Sequence, residues 1–120
     1  MTATDTVMTN AREVALRFVD AFNIRDDETL RALLAEDAEL RTLSGGALHG
    51  HEGLETLLRM AEERDLRLVA FRAPDVDRDG DVIRVSVPIR ELIGPDDIER
   101  AAEFEVRDGH ILAFAVKPFE

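Results

Sequence analysis

His49 is the residue of this sequence best suited to move protons near neutral pH. It directly precedes Gly50 at the predicted entrance to a helix. A neutral imidazole there can act as a general acid or base, or donate a hydrogen bond to a ligand. The alternative is a partly buried histidine bonded to a neighbouring carbonyl group, because the sequence shows no carboxylate partner to orient the ring. His49 is therefore the catalytic candidate that the sequence offers.

Metal chemistry is not indicated. The chain has no cysteine, and His49, His51 and His110 do not have the spacing of zinc ligands. The acidic run from Asp75 to Asp81 matches the first half of an EF-hand loop, but Ser86 stands where the bidentate glutamate is needed. We predict an acidic hairpin turn there, and we expect neither a metal nor a cofactor.

The composition indicates one domain. The 120 residues carry a net charge of −11, which argues against nucleic acid or anionic lipid as a partner. No apolar run approaches the roughly 20 residues that span a bilayer. Residues 1–9 lack the basic start and apolar stretch of a signal peptide. We therefore expect a flexible lead-in over residues 1–9, a single domain over residues 10–120 and a cytoplasmic location.

Three helices are predicted before the sheet. Apolar residues recur with helical period after Asn10, which forms a capping-box pattern with Glu13 and predicts the start of the first helix. The second helix can be capped by Asp26 or Asp27. The third is predicted from about Glu52 to Arg64. Each helix has one apolar face, so all three can pack on a sheet.

Strand signals follow the helical ones. A first strand is predicted from Ala38 to Leu43, and from Leu66 onward the period changes to two. Turn signals at Asp79-Gly80, at Gly94 to Asp97 and at Asp108-Gly109 divide the remainder into four strands. These elements predict an α+β fold with helices on one face of a mostly antiparallel sheet.

The turns also predict a strand register. Ile93 is expected to pair with Ile98, and Arg107 with His110. The face towards the helices then carries the apolar set Val85, Val87, Ile89, Ala102, Phe104, Val106, Ile111, Ala113 and Ala115. A slip of one residue would bring glutamates into this set, which supports the register. The facing of residues 66–73 stays open because Pro74 implies a bulge or an edge.

Charged residues form one row at the end of this inner face, namely Glu91, Arg100 and Lys117. They could hold a polar or anionic end of a ligand whose body lies on the apolar rows. The alternative is a cross-strand charge ladder at a solvent-exposed rim.

The other face of the sheet is mixed. Its exposed patch would consist of Arg90, Leu92, Leu112, Phe114 and Val116. Because apolar patches of this kind mark partner surfaces, we expect a homodimer formed through this face.

The chain resembles the nuclear transport factor 2-like superfamily, particularly its SnoaL-like and ketosteroid-isomerase-like branch. The likeness is carried by RFVDAFNIRDDETLRALLAEDAEL from Arg17 to Leu40 and by LHGHEGLETLL from Leu48 to Leu58. It implies a conical α+β barrel whose concave face and helices enclose an apolar pocket, and a homodimer through the convex face. The ketosteroid isomerases place tyrosine, aspartate and protonated aspartate where this chain has Phe18, Thr42 and Ala102. These residues supply neither a base nor an oxyanion hole, so steroid isomerisation is not expected.

Two functions follow from the residues and the resemblance. The first is a small-molecule-binding protein, or a cofactor-independent isomerase, cyclase, dehydratase or hydrolase, acting on a hydrophobic metabolite. Its expected pocket residues are Phe18, Phe22, Thr42, His49, Val87, Ile89, Ala102, Phe104 and Ala115, with Glu91, Arg100 and Lys117 at the rim. The second is a non-catalytic, homodimeric binding or association module whose cavity is filled by its own side chains.

Overall fold

The computed structural model describes residues 3–41 and 46–119 as three helices and one seven-stranded sheet. The helices are α1 (Ala3–Asn23), α2 (Asp27–Leu33) and α3 (Gly50–Glu63). The strands are β1 (Leu34–Arg41), β2 (Ala47–His49), β3 (Leu66–Ala70), β4 (Asp75–Asp79), β5 (Val82–Ile93), β6 (Asp96–Arg107) and β7 (His110–Pro118). The sheet order is β2-β1-β7-β6-β5-β3, with β4 also paired to β5. Among the described strands β1 and β7 are parallel and the other pairs antiparallel, which confirms the predicted fold class.

Helix α1 is longer than the sequence pattern indicated. It begins at Ala3, so the predicted start at Asn10 is wrong and residues 3–9 are helical rather than a lead-in. Asn10 is exposed within the helix, and Met8 packs against the core one turn before Ala11. The buried stripe therefore continues towards the N-terminus, which favours the added turns. Among the described residues no helix is long and apolar enough to cross a membrane.

Helix α2 starts at the cap that the sequence proposed. The Asp26 carboxylate accepts hydrogen bonds from the Thr29 hydroxyl at 2.6 Å and from the Thr29 amide at 3.2 Å. These two bonds, the hydroxyl bond first, hold the pKa of Asp26 below its usual value. Strand β1 then begins at Leu34, four residues before the predicted start. The predicted end of this strand, Thr42 and Leu43, lies outside the described residues.

The facing of β5 and β6 is as predicted, although their register is not. Ile93 pairs with Asp96 instead of Ile98, because Gly94, with φ of 56°, forms a two-residue loop with Pro95. The resulting shift of two residues leaves every side chain on its predicted face. Val85, Val87, Ile89, Ala102 and Phe104 are buried on the inner face, while the glutamates of β6 point outward.

The facing predicted for β7 beyond Ile111 is wrong. Val106 pairs with Ile111, but Glu105 pairs with Ala113, so Leu112 is an extra residue opposite no partner on β6. This β-bulge reverses the alternation of every later residue in the strand. Phe114 and Val116 are therefore buried, whereas Ala113, Ala115 and Lys117 lie on the outer face.

Residues 66–79 form two short strands where one was predicted. Strands β3 and β4 both pair with β5 and are separated by residues 71–74, which include Pro74. Proline cannot donate to the ladder, so the break falls where the sequence implied an irregularity. Leu68 is buried and Val69 is exposed, which settles the open facing of β3.

The inward position of Phe114, which results from the bulge in β7, leads to a prediction about stability. Replacing Phe114 by Ala should lower the free energy of unfolding by about 3–5 kcal/mol, because it removes a buried ring from the core. The same change at half-buried Phe119 should cost about 1 kcal/mol. Urea unfolding of both variants measures the difference. Equal losses would contradict the inward facing of Phe114.

Candidate functional site

A cavity of about 180 Å³ lies between the helices and the inner face of the sheet. Its walls are mostly apolar: α1 contributes Phe22, and α3 contributes Leu57, Met60 and Ala61. The strands add Leu66, Leu68, Ile93, Phe114 and Val116. Three charged residues, Arg64, Glu91 and Arg100, also line it. The cavity thus combines an apolar interior with a few polar groups, as small-molecule sites generally do.

The centre of the domain is filled by aromatic rings. The ring centroids of Phe18 and Phe114 are 4.9 Å apart, those of Phe104 and Phe114 5.1 Å, and those of Phe18 and Phe104 5.5 Å. Such pairs stabilise a core beyond their buried area by roughly 0.5–1.5 kcal/mol each. These three rings, called the aromatic cluster below, occupy the space between α1 and the sheet and leave the cavity at one side.

Five residues expected to line a pocket are therefore core residues. Phe18, Val87, Ile89, Ala102 and Phe104 are fully or almost fully buried and do not line the cavity. Phe22, in contrast, is both buried and part of the cavity wall, and its role in ligand binding stays a prediction.

The turn after α1 holds the cavity wall together. Arg25 has φ of 58°, and the Asp26 and Arg25 amides donate to the carbonyls of Ala21 and Phe22, which is a Schellman ending of the helix. Glycine is the usual residue at this left-handed position. Here the guanidinium of Arg25 donates to the carbonyls of Phe22, Ala61 and Leu66 at 2.8, 3.2 and 2.7 Å. One side chain therefore ties α1, α3 and β3 together beside the cavity.

Asn23 makes a second tie between α1 and β3. Its side-chain amide donates to the Leu68 carbonyl at 2.7 Å, and its side-chain oxygen accepts from the Leu68 amide at 2.8 Å. The pair imitates one rung of a β ladder, so it satisfies both backbone groups of a residue in the cavity wall.

Glu91 and Arg100 meet inside the cavity, diagonally across β5 and β6. The closest approach, from Arg100 Nε to Glu91 Oε1, is 3.7 Å, and the two side chains are 25% and 14% exposed. The predicted third member of this row, Lys117, lies instead on the outer face, where its ammonium group is 2.7 Å from Glu103. The bulge that turns Phe114 inward is the reason.

The remaining predicted site residues lie elsewhere. His49 is exposed at the end of β2 and is not among the residues that line the cavity, so its predicted acid–base role would need a different site. Ala115 faces the outer side of the sheet, and Thr42 lies outside the described residues. Over residues 3–41 and 46–119 no group of three His, Asp or Glu could hold a metal ion.

The outer face differs from the expected homodimer surface. Phe114 and Val116 are buried in the core, which leaves Arg90, Leu92 and Leu112 of the predicted patch. In its place lies a groove of about 730 Å³ whose lining includes Ala113 and Ala115 together with charged residues such as Glu103 and Lys117. The homodimer stays a prediction, without the apolar patch that suggested it.

The cavity wall contains residues that the sequence did not assign to the pocket. Leu57 and Ala61 lie on the apolar face of α3, which the helical period directs towards the sheet. Leu66 and Leu68 had no predicted facing because Pro74 left the register of their strand open. Phe114 and Val116 carried no usable signal, since nothing in the alternating pattern marks the extra residue in β7.

The chain has the nuclear transport factor 2-like fold. The sequence model of the SnoaL-like domain family matches residues 15–114, so the chain belongs to this family. A comparison with curated protein sequences finds no significant match.

Solved structures share the fold at low sequence identity. A protein from Kribbella flavida proposed to be a ketosteroid isomerase is 24% identical with a TM-score of 0.72, over 94% of this chain and 81% of its own. An LEH-like epoxide hydrolase from M. tuberculosis is 23% identical with a TM-score of 0.67, over 91% and 82%. The Orange Carotenoid Protein of Anabaena, solved with canthaxanthin, is 20% identical with a TM-score of 0.77, over 88% of this chain and 35% of its own. At these identities the likeness establishes the fold alone.

The hydrogen bonds from Arg25 to three backbone carbonyls lead to the second prediction. Replacing Arg25 by Met should lower the free energy of unfolding by about 2–3 kcal/mol, because three partly buried carbonyls lose a charged donor. The matched control is Arg12, an exposed residue of α1, where the same change should cost less than about 0.5 kcal/mol. Urea unfolding measures both. If the Arg25 variant loses no more free energy of unfolding than the Arg12 variant, the guanidinium of Arg25 does not stabilise the cavity wall.

Proposed function

We propose that this SnoaL-like protein binds a small hydrophobic molecule in the cavity between α1, α3 and the sheet. The observation that carries the proposal is the cavity itself: a space of about 180 Å³ remains open beside a core that is otherwise closely packed. Mostly apolar walls in a concave space are favourable for binding, because a ligand that displaces water from them removes apolar surface from solvent.

The volume limits the size of the ligand. An apolar cavity of about 150 Å³ is large enough for benzene, whereas sites for drug-sized ligands range over about 300–1,000 Å³. The cavity found here is near the lower figure. We therefore propose a ligand with a single ring or a short hydrocarbon chain within the walls, and with any further part outside the mouth.

The related structures support the ligand class without defining the ligand. Their names point to a steroid isomerase, an epoxide hydrolase and a carotenoid-binding protein. Two of these names, those of the steroid isomerase and of the carotenoid-binding protein, refer to largely hydrophobic small molecules. The same class is proposed for this chain because its cavity wall is mostly apolar.

The residues favour binding over isomerase-type catalysis. That reaction needs a base and donors that stabilise an oxyanion. Phe18 and Ala102, which occupy two of the three matched positions, are buried and have no polar side-chain atom. The second predicted function, a module filled by its own side chains, gains support from the aromatic cluster, and the experiment below distinguishes it from ligand binding.

The binding proposal predicts saturable uptake of a small apolar probe. Toluene should shift the backbone amide signals of Leu57, Ala61 and Leu68 in a ¹H–¹⁵N NMR titration, because these residues line the cavity. It should also raise the melting temperature, since a ligand that binds the folded state stabilises it.

A cavity-blocking variant provides the control. Replacing Met60 by Trp should weaken toluene binding by about tenfold or more, because the larger ring enters the space that the probe needs. Met8 is also half-buried on a helix but does not line the cavity, and its replacement by Trp should leave the affinity unchanged. No saturable binding to the unchanged protein would favour the self-filled module. Equal affinities in both variants would place the probe elsewhere.

A further inference from the structure

We propose that Arg100 anchors the carboxylate group of the ligand, so that the protein is selective for small apolar acids over neutral molecules of the same shape. The inference rests on the proposed binding function and adds the chemical class of the ligand.

The first support is the state of the Arg100 guanidinium. A guanidinium group carries five N–H donors and no acceptor. The Arg100 side chain is three-quarters shielded from solvent, and its Nε atom is buried without a hydrogen bond to any residue of the described ranges. The contact with Glu91 at 3.7 Å is an ion pair beyond hydrogen-bond length. Donors shielded in this way are costly unless an acceptor reaches them.

The second support is the position of Arg100. It lies on the inner face of β6 opposite Ile89 and Pro118, and it lines the cavity together with the apolar side chains of Ile93 and Val116. A ligand whose hydrocarbon part contacts those side chains would bring a terminal group close to the guanidinium. The planar fork of arginine matches a carboxylate with two parallel hydrogen bonds.

The third support is the local balance of charge. The cavity wall holds two cations, Arg64 and Arg100, against one anion, Glu91. This local excess of positive charge occurs in a chain whose net charge is −11. A ligand with one carboxylate would make the numbers of positive and negative charges at the cavity wall equal. A neutral ligand would leave the excess in place.

Glu91 lies beside the guanidinium without satisfying it. Its closest approach to Arg100, 3.7 Å from Oε1 to Nε, is an ion pair and not a hydrogen bond. The buried Nε donor therefore stays available, and a carboxylate of the ligand can accept from Nε and from one terminal nitrogen in two parallel bonds.

The test compares three probes of similar size, namely benzoate, benzamide and toluene, by NMR titration of the unchanged protein. Benzoate should bind at least about tenfold more tightly than benzamide, because hydrogen bonds between two charged groups are stronger than those to a neutral amide. Benzoate should also shift the Nε–Hε signal of Arg100, which a merely structural arginine would not show. The signal is assigned by its disappearance in Arg100→Lys.

Variants separate the anchor from general electrostatic attraction. Arg100→Met should abolish the preference for benzoate over benzamide, and Arg100→Lys should keep part of it, because the charge remains while the fork is lost. Arg90→Met removes a cation from the outer face of the neighbouring strand and should leave the preference unchanged.

Each outcome bears on one proposal or the other. If toluene binds in the cavity but benzoate binds no better than benzamide, the anchor is disproved and the binding function stands. If Arg100→Met keeps the preference, Arg100 is not the anchor. If Arg100→Met does not fold, two other measurements test the anchor. They are the shift of the Arg100 Nε–Hε signal by benzoate and the ratio of the benzoate and benzamide affinities in Arg100→Lys. If none of the three probes binds, both proposals fail.

Discussion

The contact of Phe18 on α1 with Phe104 and Phe114 on the sheet is the constraint on which the rest of the structure depends. The centroid distances of 4.9 to 5.5 Å show that the three rings are in direct contact between the helix and the strands. The aromatic cluster fills the middle of the domain, and the cavity lies to one side of it, where residues of α3, β3 and β5 line it. The position, size and lining of the cavity all follow from that packing.

The bulge at Leu112 is what makes this packing possible. Without the extra residue, β7 would present Ala113 and Ala115 to the helix, and two methyl groups would replace the ring of Phe114 and the side chain of Val116. The inner face would then enclose a wider and deeper pocket of the kind expected from the sequence. The bulge at Leu112 also changes the composition of the outer face. Phe114 and Val116 leave that face, and the small and charged side chains of Ala113, Ala115 and Lys117 take their place. One unpaired residue thus converts a broad pocket into a small lateral cavity.

Much of the fold could be predicted from the sequence because its determinants are local. The apolar period of α1 and α3, the cap at Asp26 and the Asp108-Gly109 turn each act within a few residues. The predicted register at Gly94 was wrong by two residues, but the predicted facing of the side chains was still correct, since side chains alternate between the two faces with a period of two. The bulge depends instead on whether Phe114 packs better against Phe18 than Ala113 would, which is a contact between distant parts of the chain. The side chains of Arg25 and Asn23, which bind backbone groups some 40 positions away, left no pattern in the sequence for the same reason.

The central claim is that Phe114 points towards α1. It can be tested by nuclear Overhauser contacts in protein carrying labelled phenylalanine and alanine, since the chain has six phenylalanines. The structure predicts strong contacts between the ring protons of Phe114 and Phe18, and none between the Ala113 methyl group and the Phe18 ring. A contact from Ala113 to Phe18, with none from Phe114, would contradict the bulge, the filled centre and the lateral cavity together.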